Sequence, residues 1–142
     1  MAVNTKRRER TPAKHDYGVA PPGAELQAIQ YTIAALDNPL RQRILAVLFQ
    51  QRGPMTFTEV ARRLEVADDS SVSFHLNRLT GPMLVTNYLQ RTPGGIRSNY
   101  TISDEGVRWM KAMGLTRRDV LKSLLDPSAD RAAIKALRVA RA

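Results

Sequence analysis

Ser70, Ser71, Ser73, Phe74, Asn77 and Arg78 fall within the ten residues "SSVSFHLNRL" (70–79), interleaved with Val72, Leu76 and Leu79 at helical spacing. On a helix, positions 72, 75, 76 and 79 turn one way and 70, 73, 74 and 77 the other, with 71 and 78 beside them. The outward set combines small hydroxyls, an amide, a guanidinium and one aromatic ring. Small hydroxyls let a helix backbone come close to a partner, the amide pairs with adenine, and the guanidinium pairs with guanine or phosphate. The ring of Phe74 either contacts a thymine methyl or folds back onto a neighbouring turn or hairpin. His75 lies on the inward side among leucines, the place of a satisfied core or boundary histidine and not of a ligand or general base.

A second constellation lies twelve or more residues further on. Arg91 and Arg97 bracket "TPGGI", in which Thr92, Gly94 and Gly95 supply turn chemistry. Two cations at the tip of a hairpin are placed to hold phosphates, and each such contact steepens the salt dependence of binding. Ile96 is read as a cross-strand packing residue in preference to a minor-groove wedge.

These side chains need a framework. Leu26, Ile29, Ile33 and Leu36 keep a three-four spacing through "AELQAIQYTIAAL", and "DNP" stops that helix and caps the next, with Pro39 in its first turn. Leu40, Ile44, Val47 and Leu48 carry the pattern to Gly53-Pro54. Thr56 and Glu59 stand in capping-box relation before a face of Phe57, Val60, Ala61 and Leu64. The next helix starts at about Asp69, with the acidic pair and Ser70 as its N-terminal residues. After Gly81-Pro82 the period changes to two: "LVTNYLQR" and "RSNYTIS" are strands around the "TPGG" turn. Ser103, Asp104 and Glu105 start a further helix with a Val107, Met110 and Met113 stripe, and Thr116 with Asp119 is expected to cap a last one.

Helix, helix, helix, turn, helix, two-stranded wing, helix is the layout of a winged helix-turn-helix, mainly α with a small β-hairpin (α+β). The blocks "LDNPLRQRILAVL", "FTEVARRLEV", "SSVSFHLNRL" and "SNYTISDEGVRWM" resemble, in order, those of the ArsR-type winged-helix transcriptional regulators, over about residues 25 to 113. The likeness is greatest to the archaeal and bacterial branch with "LDxPxRxxIL" and "SxHLxxL". The resemblance implies that residues 56–65 are the first helix of the motif, 70–79 the recognition helix and 85–103 the wing, with the flanking helices forming a homodimer. Two features depart from the family. Its thiolate metal signature is absent, leaving His15 and His75 as the only imidazoles, and "TGPMLV" replaces the usual residues before the wing. No metal site and no cofactor are therefore expected.

Composition agrees with a polyanionic partner. The 142 residues carry 22 Lys and Arg against 13 Asp and Glu, a net charge of +9, and 43% are hydrophobic, enough for one core. Zero cysteines fits a reducing compartment. No apolar run approaches the roughly 18 residues that cross a bilayer, and no signal-peptide segment follows the basic N-terminus. A cytoplasmic protein without membrane contact is expected. The domain reading is a flexible basic arm over 1–23, the winged helix-turn-helix with flanking dimerisation helices over 24–126, and a basic tail or helix over 127–142.

Leu26, Ile29, Ile33 and Leu36, with Trp109, Met110 and Met113, are more apolar than one small domain needs, and are expected at a homodimer interface. Glycine-rich phosphate loops, paired-histidine spacings and nucleophile elbows are absent, so no enzyme is expected. The leading expectation is a homodimeric regulator that reads double-stranded DNA. Its rivals are a winged helix used as a protein-interaction module and a sequence-indifferent nucleoid protein. No residue pattern names a small-molecule effector.

Overall fold

Asn38 and Pro39 show how local chemistry sets the first boundary. In a computed structural model of the chain, which describes residues 23–65, 68–126 and 128, helix α1 spans Ala24–Leu36 and α2 spans Pro39–Gln51. The Asn38 side chain accepts the Arg41 amide at 3.1 Å, and the proline occupies the first turn, where a missing N–H costs nothing. The chain divides into two compact units, 1–33 and 34–142. The expected basic arm and basic tail lie outside the described residues, save for Gly23 and Ser128.

In the first unit, the part of α1 before residue 34 exposes Leu26, Ile29, Tyr31 and Ile33, and Thr32 returns its hydroxyl to the Ala28 carbonyl at 2.9 Å.

The second unit is organised around α2. Ile44, Leu45, Ala46, Val47 and Leu48 are all buried, so this helix is enclosed on every side. Around it pack α3 (Phe57–Leu64), α4 (Asp69–Thr80), α5 (Asp104–Ala112) and α6 (Arg118–Leu125). Val60 and Leu64 of α3, Val72, Leu76 and Leu79 of α4 and Met110 of α5 belong to the same core, with Leu36, Met55, Leu84, Val85, Tyr100 and Leu115. Full burial of each such side chain contributes about 1.5–3 kcal/mol.

Caps form where side chains can reach their own amides. Thr56 accepts from Glu59 N at 3.2 Å, Asp68 from Ser70 N at 3.0 Å and Ser103 from Gly106 N at 2.9 Å. The expected Thr116 cap does not form: Arg117 holds the N-cap position of α6 with no side-chain bond to it.

The wing consists of β2 (Val85–Thr92) and β3 (Gly95–Ile102), antiparallel from Val85 opposite Ile102 to Thr92 opposite Gly95. The sheet has a third strand that the two-stranded reading lacks. Met55 and Thr56 form β1, pairing with Tyr100 and Asn99 on the outer edge of β3. At the turn Gly95 takes φ +130°, a conformation that requires glycine, and Thr92 donates to its carbonyl at 3.1 Å. At the base, Ser103 ties the two ends of the wing together by donating to the Leu84 carbonyl through its amide at 3.0 Å. Gly106 lets α5 lie directly on this point: a Cβ there would fall 2.3 Å from the Leu84 oxygen.

Two arginines of α2 are buried. Arg43 donates from Nε to the Leu124 carbonyl and from Nη2 to the Leu64 carbonyl, each at 3.2 Å. Arg41 donates from Nε to Ala35 O at 2.5 Å and from Nη2 to Ala34 O at 3.2 Å, while Gln42 donates to Leu36 O at 2.9 Å. Carbonyls left over at helix ends thus find their donors on α2. Among the described residues, no helix is long and apolar enough to cross a membrane.

Candidate nucleic-acid interface

The two faces of α4 are sharply unlike. Val72, Leu76 and Leu79 are fully buried, whereas Ser70, Ser73, Phe74, Asn77 and Arg78 are exposed and Ser71 is half-buried. The core contacts of the apolar set fix the rotation of the helix, and that rotation turns the polar set to solvent. Asp68 holds the first turn: its carboxylate accepts the Ser70 hydroxyl at 2.7 Å as well as the amide, and these bonds, the hydroxyl first, keep its pKa below the usual carboxylate range. Ser70 is thus engaged in capping, and Asp68 and Asp69 place negative charge at the start of α4, where the helix dipole favours it.

Phe74 stands largely clear of the core. It is 56% exposed, and its ring meets His75 edge-on at 5.2 Å between centroids while the Arg78 guanidinium sits 5.8 Å above it. His75 turns inward as its spacing implies. Its Nδ1 accepts from Arg41 Nη1 at 3.1 Å, and burial, followed by the charge of Arg41, holds its pKa below the ordinary imidazole value.

Arg91, Gly94, Gly95 and Arg97 are exposed at the wing tip, with Thr92 half-buried under the turn. Ile96 lies across the ribbon from Arg91 and is 69% exposed. The reason lies in the length of the ribbon, whose outer residues extend past the core that covers Val85 and Tyr100 at its base.

A groove of about 610 Å³ separates the first turns of α3 from the wing, lined among others by Thr58, Arg62, Arg97 and Ser98. It adds Arg62 and Thr58 to the residues singled out in the sequence. Their spacing of four carried the signal, because it sets both opposite the apolar face of α3. Neither the Arg62 nor the Arg97 guanidinium has a hydrogen-bond or ion-pair partner among the described residues, whereas the neighbouring Arg63 donates to Gln50 Oε1 at 3.0 Å.

The expected dimer residues separate into two groups. Leu36 and Met110 are fully buried inside one chain and cannot meet a second copy, because each completes the core around α2. Leu26, Ile29, Ile33 and Met113 are exposed, and Trp109 is half-buried with its indole N–H donated to Glu105 at 3.2 Å. No group of three His, Cys, Asp or Glu able to hold a metal ion occurs among the described residues.

Comparison with known proteins agrees with this architecture. Residues 36–85 match a family described as a helix-turn-helix domain. No curated protein sequence matches the chain significantly. The homodimeric winged helix-turn-helix DNA-binding domain of a possible ArsR-family transcriptional regulator from Mycobacterium bovis superposes with a TM-score of 0.54 at 24% identity, covering 71% of this chain and 89% of that one. An ArsR-like transcriptional regulator from Rhodococcus sp. RHA1 gives 0.47 at 23% identity, covering 71% and 92%. The YusO protein from Bacillus subtilis gives 0.49 at 17% identity, covering 100% and 99%. The fold is a winged helix-turn-helix.

Proposed function

We propose that the protein is a cytoplasmic transcriptional regulator that binds double-stranded DNA sequence-specifically as a homodimer, without catalysing a reaction. In this reading α4 enters the major groove and the wing lies on the backbone or in the minor groove. The observation that carries it is the outward face of α4: Ser73, Phe74, Asn77 and Arg78 are exposed on a helix whose Val72, Leu76 and Leu79 are fully buried on the other side. Asn77 and Arg78 supply the donors and acceptors that distinguish base pairs, and Ser71 and Ser73 allow close approach. Arg62, Arg91 and Arg97 add phosphate contacts on the side of the wing. The exposed apolar residues of α1, and separately Trp109 and Met113, are the surfaces assigned to the second copy, in keeping with the homodimeric description of the Mycobacterium bovis domain.

One observation favours a second reading. Leu89 and Ile96 are both exposed on the same face of the wing, an apolar pair that suits a protein partner. Selection of bound sites from a random duplex pool separates the two. The regulator yields an enriched palindrome, and Asn77→Ala or Arg78→Ala weakens that site by about 1–3 kcal/mol while affinity for random duplex changes less. No enrichment at any salt concentration would sink the regulator reading.

A further inference from the structure

Arg41 serves three acceptors with one planar group: the carbonyls of Ala34 and Ala35 at the end of α1 and Nδ1 of His75 in the middle of α4. A guanidinium has donors only, so His75 must present a lone pair at Nδ1 and carry its proton on Nε2. The fork fixes the spacing between the end of α1 and α4 at the residue next to Phe74. The Phe74 ring rests on the His75 edge and Arg78 lies over that ring, so a rotation of α4 that breaks the pair moves both reading residues with it.

We propose that Arg41 and His75 are a positioning pair for sequence recognition, in which neutral His75 locks the orientation of α4 against DNA and a proton on Nδ1 releases it. This inference rests on the DNA-binding reading above. Among the described residues, the groups that face His75 are few. Arg41 reaches it from α2, Arg78 stands one turn along its own helix beyond Phe74, Asp37 acts on Arg41 with opposite sign, and the end of α1 contributes carbonyls only. Burial first, and the charge of Arg41 second, lowers the pKa of His75. The sign follows: the locked state binds the proton less well than the released or unfolded chain, so the lock is complete above the ordinary histidine pKa of about 6.5 and is lost as pH falls below it. Acidification also adds a cation beside the duplex. Affinity for random DNA therefore holds or rises while discrimination falls.

The test uses the full chain and the duplex selected at about pH 7.5, with the ratio of selected to random affinity measured there and at about pH 5.5 in constant salt. The wild-type ratio is expected to fall about tenfold between the two, on the scale of one charge-assisted hydrogen bond. His75→Gln, whose side-chain oxygen can accept from Arg41, is expected to hold the same ratio at both pH values. Arg41→Lys keeps the charge without the fork and is expected to lower the ratio already at the higher pH, with random affinity unchanged. Should that variant not fold, as judged by circular dichroism, His75→Gln decides the matter. His15 is retained throughout, so it cannot produce a difference between wild type and variant. A wild-type ratio that does not change with pH, or a His75→Gln ratio that falls as the wild type does, overturns the pair and leaves the regulator standing. A pool that yields no enriched duplex overturns both.

Discussion

Arg91 and Arg97 stand on opposite faces of the wing, Arg91 across from Ile96 and Arg97 across from Gln90. Successive strand residues alternate sides, so a duplex lying flat on the ribbon would meet only one of them. A ribbon entering a groove edge-on offers one guanidinium to each flanking strand. Under that arrangement Arg91→Gln and Arg97→Gln each lower the magnitude of the salt slope by about one, and the double variant by about two, for selected and random duplex alike. Arg62→Gln is expected to act in the same way, and Arg63→Gln, whose guanidinium is held by Gln50, to leave the slope unchanged. Titrations across a salt series check all four, and an unchanged slope in both wing variants removes the wing from the interface.

Phe74→Ala separates reading from packing. Because the ring is more exposed than buried, its loss is expected to change stability by no more than about 0.5 kcal/mol, within the range of surface substitutions. A repeated duplex selection should then show a relaxed thymine preference at one position of each half-site. A large drop in melting temperature with an unaltered selection profile would assign the ring to packing instead.

The exposed apolar residues of α1 can be set against the buried ones. Replacing Leu26 and Ile29 together by Asp is expected to yield monomers by analytical ultracentrifugation, with the helical circular dichroism signal retained. Leu36→Ala and Met110→Ala lose core contacts inside one chain, and each is expected to cost about 2–5 kcal/mol at any protein concentration. Unchanged dimer mass in the α1 variant would place the interface elsewhere.

Gly106→Ala tests the seat of α5 on the wing base. A methyl group 2.3 Å from the Leu84 oxygen and 2.9 Å from Ile102 Cγ1 cannot be accommodated without moving backbone. The expected loss is about 2–3 kcal/mol in denaturant unfolding, against the modest gain that Gly→Ala brings in an unobstructed helix.

Most of the framework is legible in the chain because its signals are local. Asn38, Thr56, Asp68 and Ser103 cap helices with bonds spanning two or three residues, and such bonds depend on little beyond the segment itself. The α4 stripe is equally clear, since Val72, Leu76 and Leu79 have no second helical arrangement. Where the structure departs, the deciding partner lies far away. β1 is two residues long, too short for any period, and exists because β3 offers it an edge. Leu36 and Met110 lie on stripes shared with exposed residues, and a stripe does not say whether its partner is the same chain or another. Arg41 and Arg43 read as surface cations by type, and their burial follows from carbonyls brought to them by other helices. Thr116 and Asp119 have the spacing of a cap pair, but α6 starts two residues after Thr116 with Arg117 at its cap.

Arg43 ends two helices at once, with Nη2 on the last carbonyl of α3 and Nε on the carbonyl of Leu124 in α6. Helix ends that share a donor do not fray independently, because each opening releases the same guanidinium and weakens its hold on the other. The last turns of α3 and α6 therefore belong to one cooperative unit of local unfolding, visible as matched protection of their amides against hydrogen exchange. Whatever stiffens α6 lowers the opening of the first helix of the motif as well, although the two carbonyls are sixty residues apart in the chain.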